Sequence, residues 1–189
     1  MKSELHTWNS NMSDKVGKCI AVVILLMTGH HEAYSQEHSV GTSWSLSGIG
    51  VDYRYVTDTD TFIWVQAKAD MMDIFLGKTG VPGASASFSW NSIFAEKQPS
   101  AGCSMRFYAG PGIIAGYARD HKTGHGPIFG LLGRVGVRLT YERNAEICIG
   151  LAPVLGMHVR TDSAQMSMKC YRYGLVQAIM PEISINYRF

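Results

Sequence analysis

Reading back from Phe189 in steps of two gives Tyr187, Ile185, Ile183, Pro181, Ile179, Gln177, Leu175, Tyr173 and Tyr171; the other parity gives Arg188, Asn186, Ser184, Glu182, Met180, Ala178, Val176, Gly174 and Arg172. Successive side chains of a strand point to opposite faces, so a strand over 171–189 has one apolar face with aromatics at both ends and one mixed-to-polar face. A membrane-spanning strand of a β-barrel needs that composition, with lipid outside and a polar lumen inside. A terminal strand of a soluble sheet alternates too. The rest of the chain has to decide between them.

The alternation recurs seven more times. From His38, Val40, Thr42, Trp44 and Leu46 alternate with Ser39, Gly41, Ser43 and Ser45 up to a turn at Ser47-Gly48. A second strand sets Ile49, Val51, Tyr53 and Tyr55 against Asp52 and Arg54, and Thr57-Asp58-Thr59-Asp60 supplies turn formers. A third sets Ile63, Val65, Ala67 and Ala69 against Phe62, Trp64, Gln66, Lys68 and Asp70; its faces are ambiguous, because the large aromatics share a side with the charges. After an outer loop over 71–83, a fourth strand carries Ala84, Ala86, Phe88, Trp90 and Phe94 opposite Ser85, Ser87, Ser89 and Asn91, and a turn is expected over 96–102.

The fifth strand, 103 to about 117, points Met105, Phe107, Ala109, Pro111, Ile113, Ala115 and Tyr117 outward and Arg106, Tyr108, Gly110, Gly112 and Gly116 inward. Inward glycines make room for long neighbours in a narrow barrel. Beyond a loop over 119–126, the sixth has Phe129, Leu131, Gly133, Val135, Val137, Leu139 and Tyr141 outside and Arg134, Gly136 and Arg138 inside. Glu142-Arg143-Asn144 is the shortest connection. The seventh sets Ile147, Ile149, Leu151, Pro153, Leu155 and Met157 against Cys148, Gly150, Ala152, Gly156 and His158, and a loop over 160–169 leads to the last strand. The fold class predicted is therefore all-β: an eight-stranded antiparallel up-and-down transmembrane β-barrel, with shorter connections on the side of the C-terminus. Its strand count is even, as such barrels require.

Composition narrows the class further. Among 189 residues no apolar run reaches the roughly 18–20 that a spanning helix needs, although 46% are hydrophobic. Lys15 and Lys18 precede the apolar run from Cys19 to Met27, and Ala33-Tyr34-Ser35 places small residues before Gln36. That pattern predicts a signal peptide over 1–35, cleaved on export, and a barrel domain over 36–189. Cleavage removes Lys2, Lys15 and Lys18 with Glu4, Asp14 and Glu32, leaving 14 of 17 bases and 12 of 15 acids. So small an excess gives no nucleic-acid footprint. Cys103, Cys148 and Cys170 lack metal-ligand spacing and are expected as free thiols, and no cofactor is indicated. Gly77-Lys78-Thr79 lacks the upstream glycine and the βαβ setting of a phosphate-binding loop.

The mature region resembles the small outer-membrane barrel families of Gram-negative bacteria, the porin-like OmpA and OmpW class, and especially their Bacteroidota-type members. Phe107-Tyr108-Ala109-Gly110-Pro111-Gly112 and the ending from Pro181-Glu182 to Phe189 carry the likeness. The resemblance implies residence in the cell outer membrane among lipids and lipopolysaccharide, as a monomer. It also implies that Ile183, Ile185, Tyr187 and Phe189 are an assembly signal read by the barrel-assembly machinery.

An eight-stranded barrel has an interior that side chains fill. Asp52, Arg54, Lys68, Asp70, Arg106, Arg134, Arg138, Arg172, Glu182 and Arg188 are expected to face inward as an ion-paired network, because buried charges are tolerated only when paired. An anion-selective lining is the functional alternative for those arginines. The role expected is structural or interactive, through the outer loops, without catalysis.

Two other functions compete. Transport or binding of small hydrophobic molecules would use a barrel opening sideways, where Pro111 and Pro153 delete ladder bonds and weaken a seam, unless they sit at bulges or rims. A lipid A-modifying hydrolase would need a histidine, a serine and a carboxylate near the outer rim. His158 is near that rim with inward parity and Ser163 follows in the loop; His121 and His125 lack an adjacent serine, and His38-Ser39 sits at the other end.

Overall fold

The computed structural model describes residues 37–77, 81–100, 102–120, 124–141, 144–160 and 167–189, all within the unit Gln36–Phe189. The predicted signal peptide and Ser163 lie outside the described residues. The described residues form ten strands: β1 (His38–Ser45), β2 (Gly48–Asp58), β3 (Thr61–Asp70), β4 (Gly83–Ser100), β5 (Cys103–Arg119), β6 (His125–Tyr141), β7 (Ala145–Leu151), β8 (Val154–Arg160), β9 (Ser167–Cys170) and β10 (Glu182–Arg188). Among the described residues two short helices, α1 (Met72–Phe75) and α2 (Arg172–Val176), interrupt the connections on the side away from the C-terminus. No helix among the described residues is long and apolar enough to cross a membrane.

The strands close a ring. Neighbours run β5-β4-β3-β2-β1-β10-β7-β6, and β5 pairs with β6. β7 and β8 occupy one place in it, because both pair with β6 in one uninterrupted register: Val135↔Leu151 continues as Leu132↔Val154. The fold is thus an eight-stranded antiparallel barrel.

Its stagger follows from one circuit of the register. His158 pairs with Ile128, and the line continues through Gly116, Ser85, Lys68, Gly50, Ser43 and Ser184 to Cys148. It returns to its starting strand 10 residues lower (158 − 148). Closure with such a shear tilts the strands by about 40° and leaves an interior that side chains can fill.

Sequence parity and observed faces agree in seven strands. Trp44, Val51, Phe88, Ile113, Leu131, Leu155 and Ile185 are exposed on the outside, while Ser43, Asp52, Ser89, Tyr108, Arg134, Cys148 and Ser184 are buried inside. The ambiguity of the third strand is resolved: Phe62 and Trp64 are buried with Gln66, so on β3 the large aromatics are internal. Inward glycine makes room for them. A methyl group at Gly136 would stand 2.6 Å from Tyr108 Oη and one at Gly150 2.9 Å from it, so this facing pair opens space for the tyrosine ring. Pro111 interrupts the β4–β5 ladder, which resumes at Ser89↔Gly112 on one side and Ser92↔Ala109 on the other. Pro153 sits between β7 and β8.

Four expectations are corrected. β4 does not turn at Glu96 but continues to Ser100, beyond its last β3 partner at Ser92. The loop over 71–83 holds α1, and the loop over 160–169 contributes β9, which pairs with β8. Strand eight begins at Glu182 rather than at Tyr171. Before it, α2 turns Tyr171, Tyr173 and Gln177 inward and leaves Arg172 exposed, reversing their predicted faces, while Leu175 is outside as expected. The cause lies next door: β1 turns back after Ser45, so residues above Glu182 have no ladder partner. Their backbone groups bond within a helical turn instead.

Gly136→Val should lower barrel stability by about 1–3 kcal/mol, the usual cost of overpacking, because the new side chain meets Tyr108 Oη and Ile149 O at 2.6 Å. Unfolding in urea, followed by loss of the compact gel form, measures it; an unchanged midpoint would contradict the packing.

Candidate functional site

Because inward residues of all eight positions converge on a narrow lumen, charges far apart in sequence meet. Arg54, on β2, lies at the centre of the first cluster. Its Nη1 donates to Cys148 Sγ at 2.9 Å and to Glu146 Oε2 at 3.4 Å, its Nη2 donates to Ser184 Oγ, and Asp52 Oδ2 is 3.6 Å away. With its amide oxygen toward Arg54, Asn186 accepts from Nη2 at 2.8 Å. Arg138 Nη1 stands 4.0 Å from the other Glu146 oxygen. All these charged side chains are at most 2% exposed.

A second cluster lies further from the C-terminus. Arg134 Nη1 donates to Glu182 Oε1 at 3.0 Å, and its Nη2 donates to Gln66 Oε1 at 2.7 Å. Gln66 Nε2 donates to Ser43 Oγ at 2.8 Å and reaches Glu182 Oε1 at 3.0 Å and Asp52 Oδ1 at 3.2 Å, tying the two clusters together. Between them stands Trp64. The Arg54 guanidinium lies 3.8 Å from its ring centroid and that of Arg134 4.1 Å. Two cations thus flank one indole, and Phe62 receives Arg138 at 5.1 Å and Tyr108 edge-on at 5.4 Å. Desolvated cation–π contacts contribute about 2 kcal/mol each.

Of the ten predicted lumen residues, the structure brings Asp52, Arg54, Arg134, Arg138 and Glu182 together in the buried interior. Lys68 and Asp70 are half-buried above them: Lys68 Nζ donates to Ser47 Oγ at 2.7 Å, and Asp70 Oδ2 accepts from Tyr171 Oη at 3.3 Å. Arg106 lies instead near the rim, 3.2 Å from Glu96 on the extended part of β4, and Arg188 pairs with Glu37 at 3.1 Å. Arg172 is outside the network, exposed on α2.

Glu146 completes the network and was not among the expected residues. It shares the inward parity of Cys148 and Gly150, a usable signal that its position beside the 142–144 turn obscured. Gln66, Trp64, Ser184 and Asn186 are the other partners that charge alone does not reveal.

The arrangement fills space rather than leaving a path. The crevice among Trp64, Tyr108, Arg134, Gly150, Leu151, Ala152 and Glu182 has no room for a water molecule. Among the described residues no group of His, Cys, Asp and Glu is arranged to hold a metal ion, and Cys103, Cys148 and Cys170 are free thiols. His158 is buried with Nε2 3.1 Å from Ala118 O, His125 Nε2 lies 3.2 Å from Val81 O, and His38 Nδ1 lies 2.7 Å from Tyr53 Oη. His121 lies outside the described residues. The predicted assembly residues Ile183, Ile185, Tyr187 and Phe189 all face outward, and the His38 and Phe189 rings stack at 5.9 Å where first and last strands meet.

No protein-family model matches the chain, and no curated protein does. Solved structures similar to it include the N-terminal β-barrel domain of Pseudomonas aeruginosa OprF, at 13% identity and TM-score 0.43, covering 82% of this chain and 96% of that one. A major outer membrane protein from Thermus thermophilus is 14% identical with TM-score 0.45, covering 82% and 100%. Ail, the attachment invasion locus protein of Yersinia pestis, in complex with the heparin analogue sucrose octasulfate, is 12% identical with TM-score 0.35, covering 82% and 100%.

Glu146→Leu should cost about 3–5 kcal/mol, since it strands the buried Arg54 and Arg138 guanidiniums. Adding Arg54→Met should restore part of that loss, and a double-mutant cycle in urea reads the coupling. Strict additivity would show that the pair is not coupled.

Proposed function

We propose that the chain is an integral outer-membrane β-barrel, exported by its signal peptide, with a closed lumen and a structural or interaction role exercised from the rim opposite the C-terminus. The observation that carries this reading is the direction of polarity. Around the ring the exposed outer face is Trp44, Val51, Phe88, Ile113, Leu131, Leu155 and Ile185, while Asp52, Arg54, Arg134, Arg138, Glu146 and Glu182 are buried inside. A soluble barrel places its larger apolar face inside. Lipid, in contrast, solvates an outward apolar band and leaves a polar interior to pair with itself.

Aromatics at the C-terminal rim support the same placement. Tyr141, Tyr187 and Phe189 are exposed there, and Phe94 packs on Phe107 at 6.3 Å, as an interfacial girdle would. In this reading that rim is periplasmic and the terminal strand engages the assembly machinery. The barrel is monomeric in lipid and lipopolysaccharide, belongs with the small barrel families it resembles, and carries no catalytic activity. The ion-paired interior favours a plug over an anion path, because each buried arginine head group has a carboxylate within 4.0 Å.

The chain expressed with its signal should enter the outer-membrane fraction and run faster on gels unheated than boiled. Leu131→Arg, on the outer face, should destabilise the barrel by about 2–4 kcal/mol in lipid. A soluble product with no heat-dependent shift would overturn the reading. Steady conductance across a planar bilayer would contradict the closed lumen.

A further inference from the structure

The ring of hydrogen-bonded strands is complete only in its C-terminal half. β10 starts at Glu182 and β1 ends at Ser45, whereas β5, β6 and β8 run on to Arg119, His125 and Arg160. Among the described residues β9 pairs with β8 alone, so its other edge faces a notch above the β1–β10 pair. Residues 171–181 cross that notch without joining the sheet. Tyr171 N–H donates to Gly156 O at 2.9 Å; further on, Gln177, Ala178 and Ile179 N–H groups donate to carbonyls of the same segment. Two carboxylates hold it: Asp120 accepts from the Arg172 and Tyr173 backbone N–H groups at 3.2 and 3.1 Å, and Asp70 from Tyr171 Oη at 3.3 Å.

The lumen changes character beneath this segment. Below it the interior is ionic. Under it the wall is mostly apolar, with Met72, Ile114, Ile128, Leu132 and Val154 packed against Tyr171 and Tyr173, and Val176 and Met180 filling in, beside the buried His158 and Asp120. The segment fits because α2 lies directly on β8: a methyl group at Gly174 would stand 2.6 Å from Val154 O. Its outer side carries Leu175, 50% exposed, and Ile179, 79% exposed, with Arg172 exposed at its start.

We propose that residues 171–181 are a displaceable strap, and that the apolar chamber beneath it accepts one acyl chain of a surrounding membrane lipid through the notch. The proposal rests on the membrane reading above. Four features select this occupant. The strap that spans the notch exposes apolar Leu175 and Ile179 on its outer side. Ala152 of the apolar cluster lines one crevice with Trp64, Arg134 and Glu182, so the apolar layer borders the ionic interior there. Hydrocarbon replacing tyrosine and aliphatic side chains exchanges one apolar filling for another, so displacement requires breaking few hydrogen bonds and no ladder. Asp70 and Asp120 disfavour a free fatty-acid carboxylate, which leaves the tail of a lipid whose headgroup stays outside.

Trp64, at that border, is the reporter. With Trp44 and Trp90 replaced by Phe, the exported barrel, residues 36–189, is checked for heat-dependent gel mobility and reconstituted in phosphatidylcholine vesicles with or without brominated acyl chains, whose bromine quenches indole at close range. Gly174→Leu, which prises α2 off β8, and Tyr173→Ala, which removes the plugging ring, should each at least double the quenching of Trp64 over the parent. In the parent, backbone amides of 172–179 should exchange with deuterium at least 100-fold faster than those of 183–187. Folded barrels with equal quenching in parent and variants, or strap amides as slow as β10, would overturn the strap while leaving the membrane reading intact. Absence of the mobility shift in the parent would overturn the membrane reading itself.

Discussion

An eight-strand ring has room inside for side chains and little else, so every inward residue must find its partner across the lumen. A carboxylate or guanidinium left unpaired there costs several kcal/mol, more than a marginally stable domain can absorb at several sites. The ten-residue stagger decides who meets whom. It brings Arg54 of β2 against Glu146 and Cys148 of β7, more than 90 residues away, and Arg134 of β6 against Glu182 of β10. The glycines at 136 and 150 belong to the same constraint, since without them Tyr108 could not complete the aromatic filling between the guanidiniums.

This filling explains why the interior is organised as stacks as well as ion pairs. A guanidinium is planar and weakly hydrated, so it can lie flat on an aromatic face while its edges donate to carboxylates. Trp64 between Arg54 and Arg134 uses both properties at once. Lysine could not do the same, and Lys68 stands at the half-buried margin with a hydroxyl partner. The terminal strands then seal the ring through reciprocal backbone bonds between His38 and Phe189.

The other half of the barrel obeys a different rule. Where the β1–β2 hairpin stops short at Leu46-Ser47, the neighbouring positions of the ring lose their ladder. A backbone that cannot bond sideways bonds to itself, so 171–181 becomes a helical turn, and a turn rotates side chains by about 100° per residue rather than 180°. That rotation brings Tyr171 and Tyr173 inward and puts Arg172 outside. The interior they fill is mostly apolar accordingly, and the wall residues facing them are isoleucine, leucine and valine rather than arginine.

Alternation along the chain was sufficient to establish the barrel, its eight positions and the inward parity of Asp52, Arg54, Arg134, Arg138 and Glu182, because a strand's two faces are a local property of the backbone. The same arithmetic misplaced Arg172, Tyr171 and Tyr173, for it presumes a strand and cannot see that the neighbouring strand has ended. It left the faces of β3 open, since aromatics and charges share the interior of a barrel that stacks them together. Pairing, and with it the part played by Glu146, Gln66 and Trp64, was decided only by tertiary structure. Partners across a closed ring are fixed by its stagger, a sum over all eight registers that no single segment encodes.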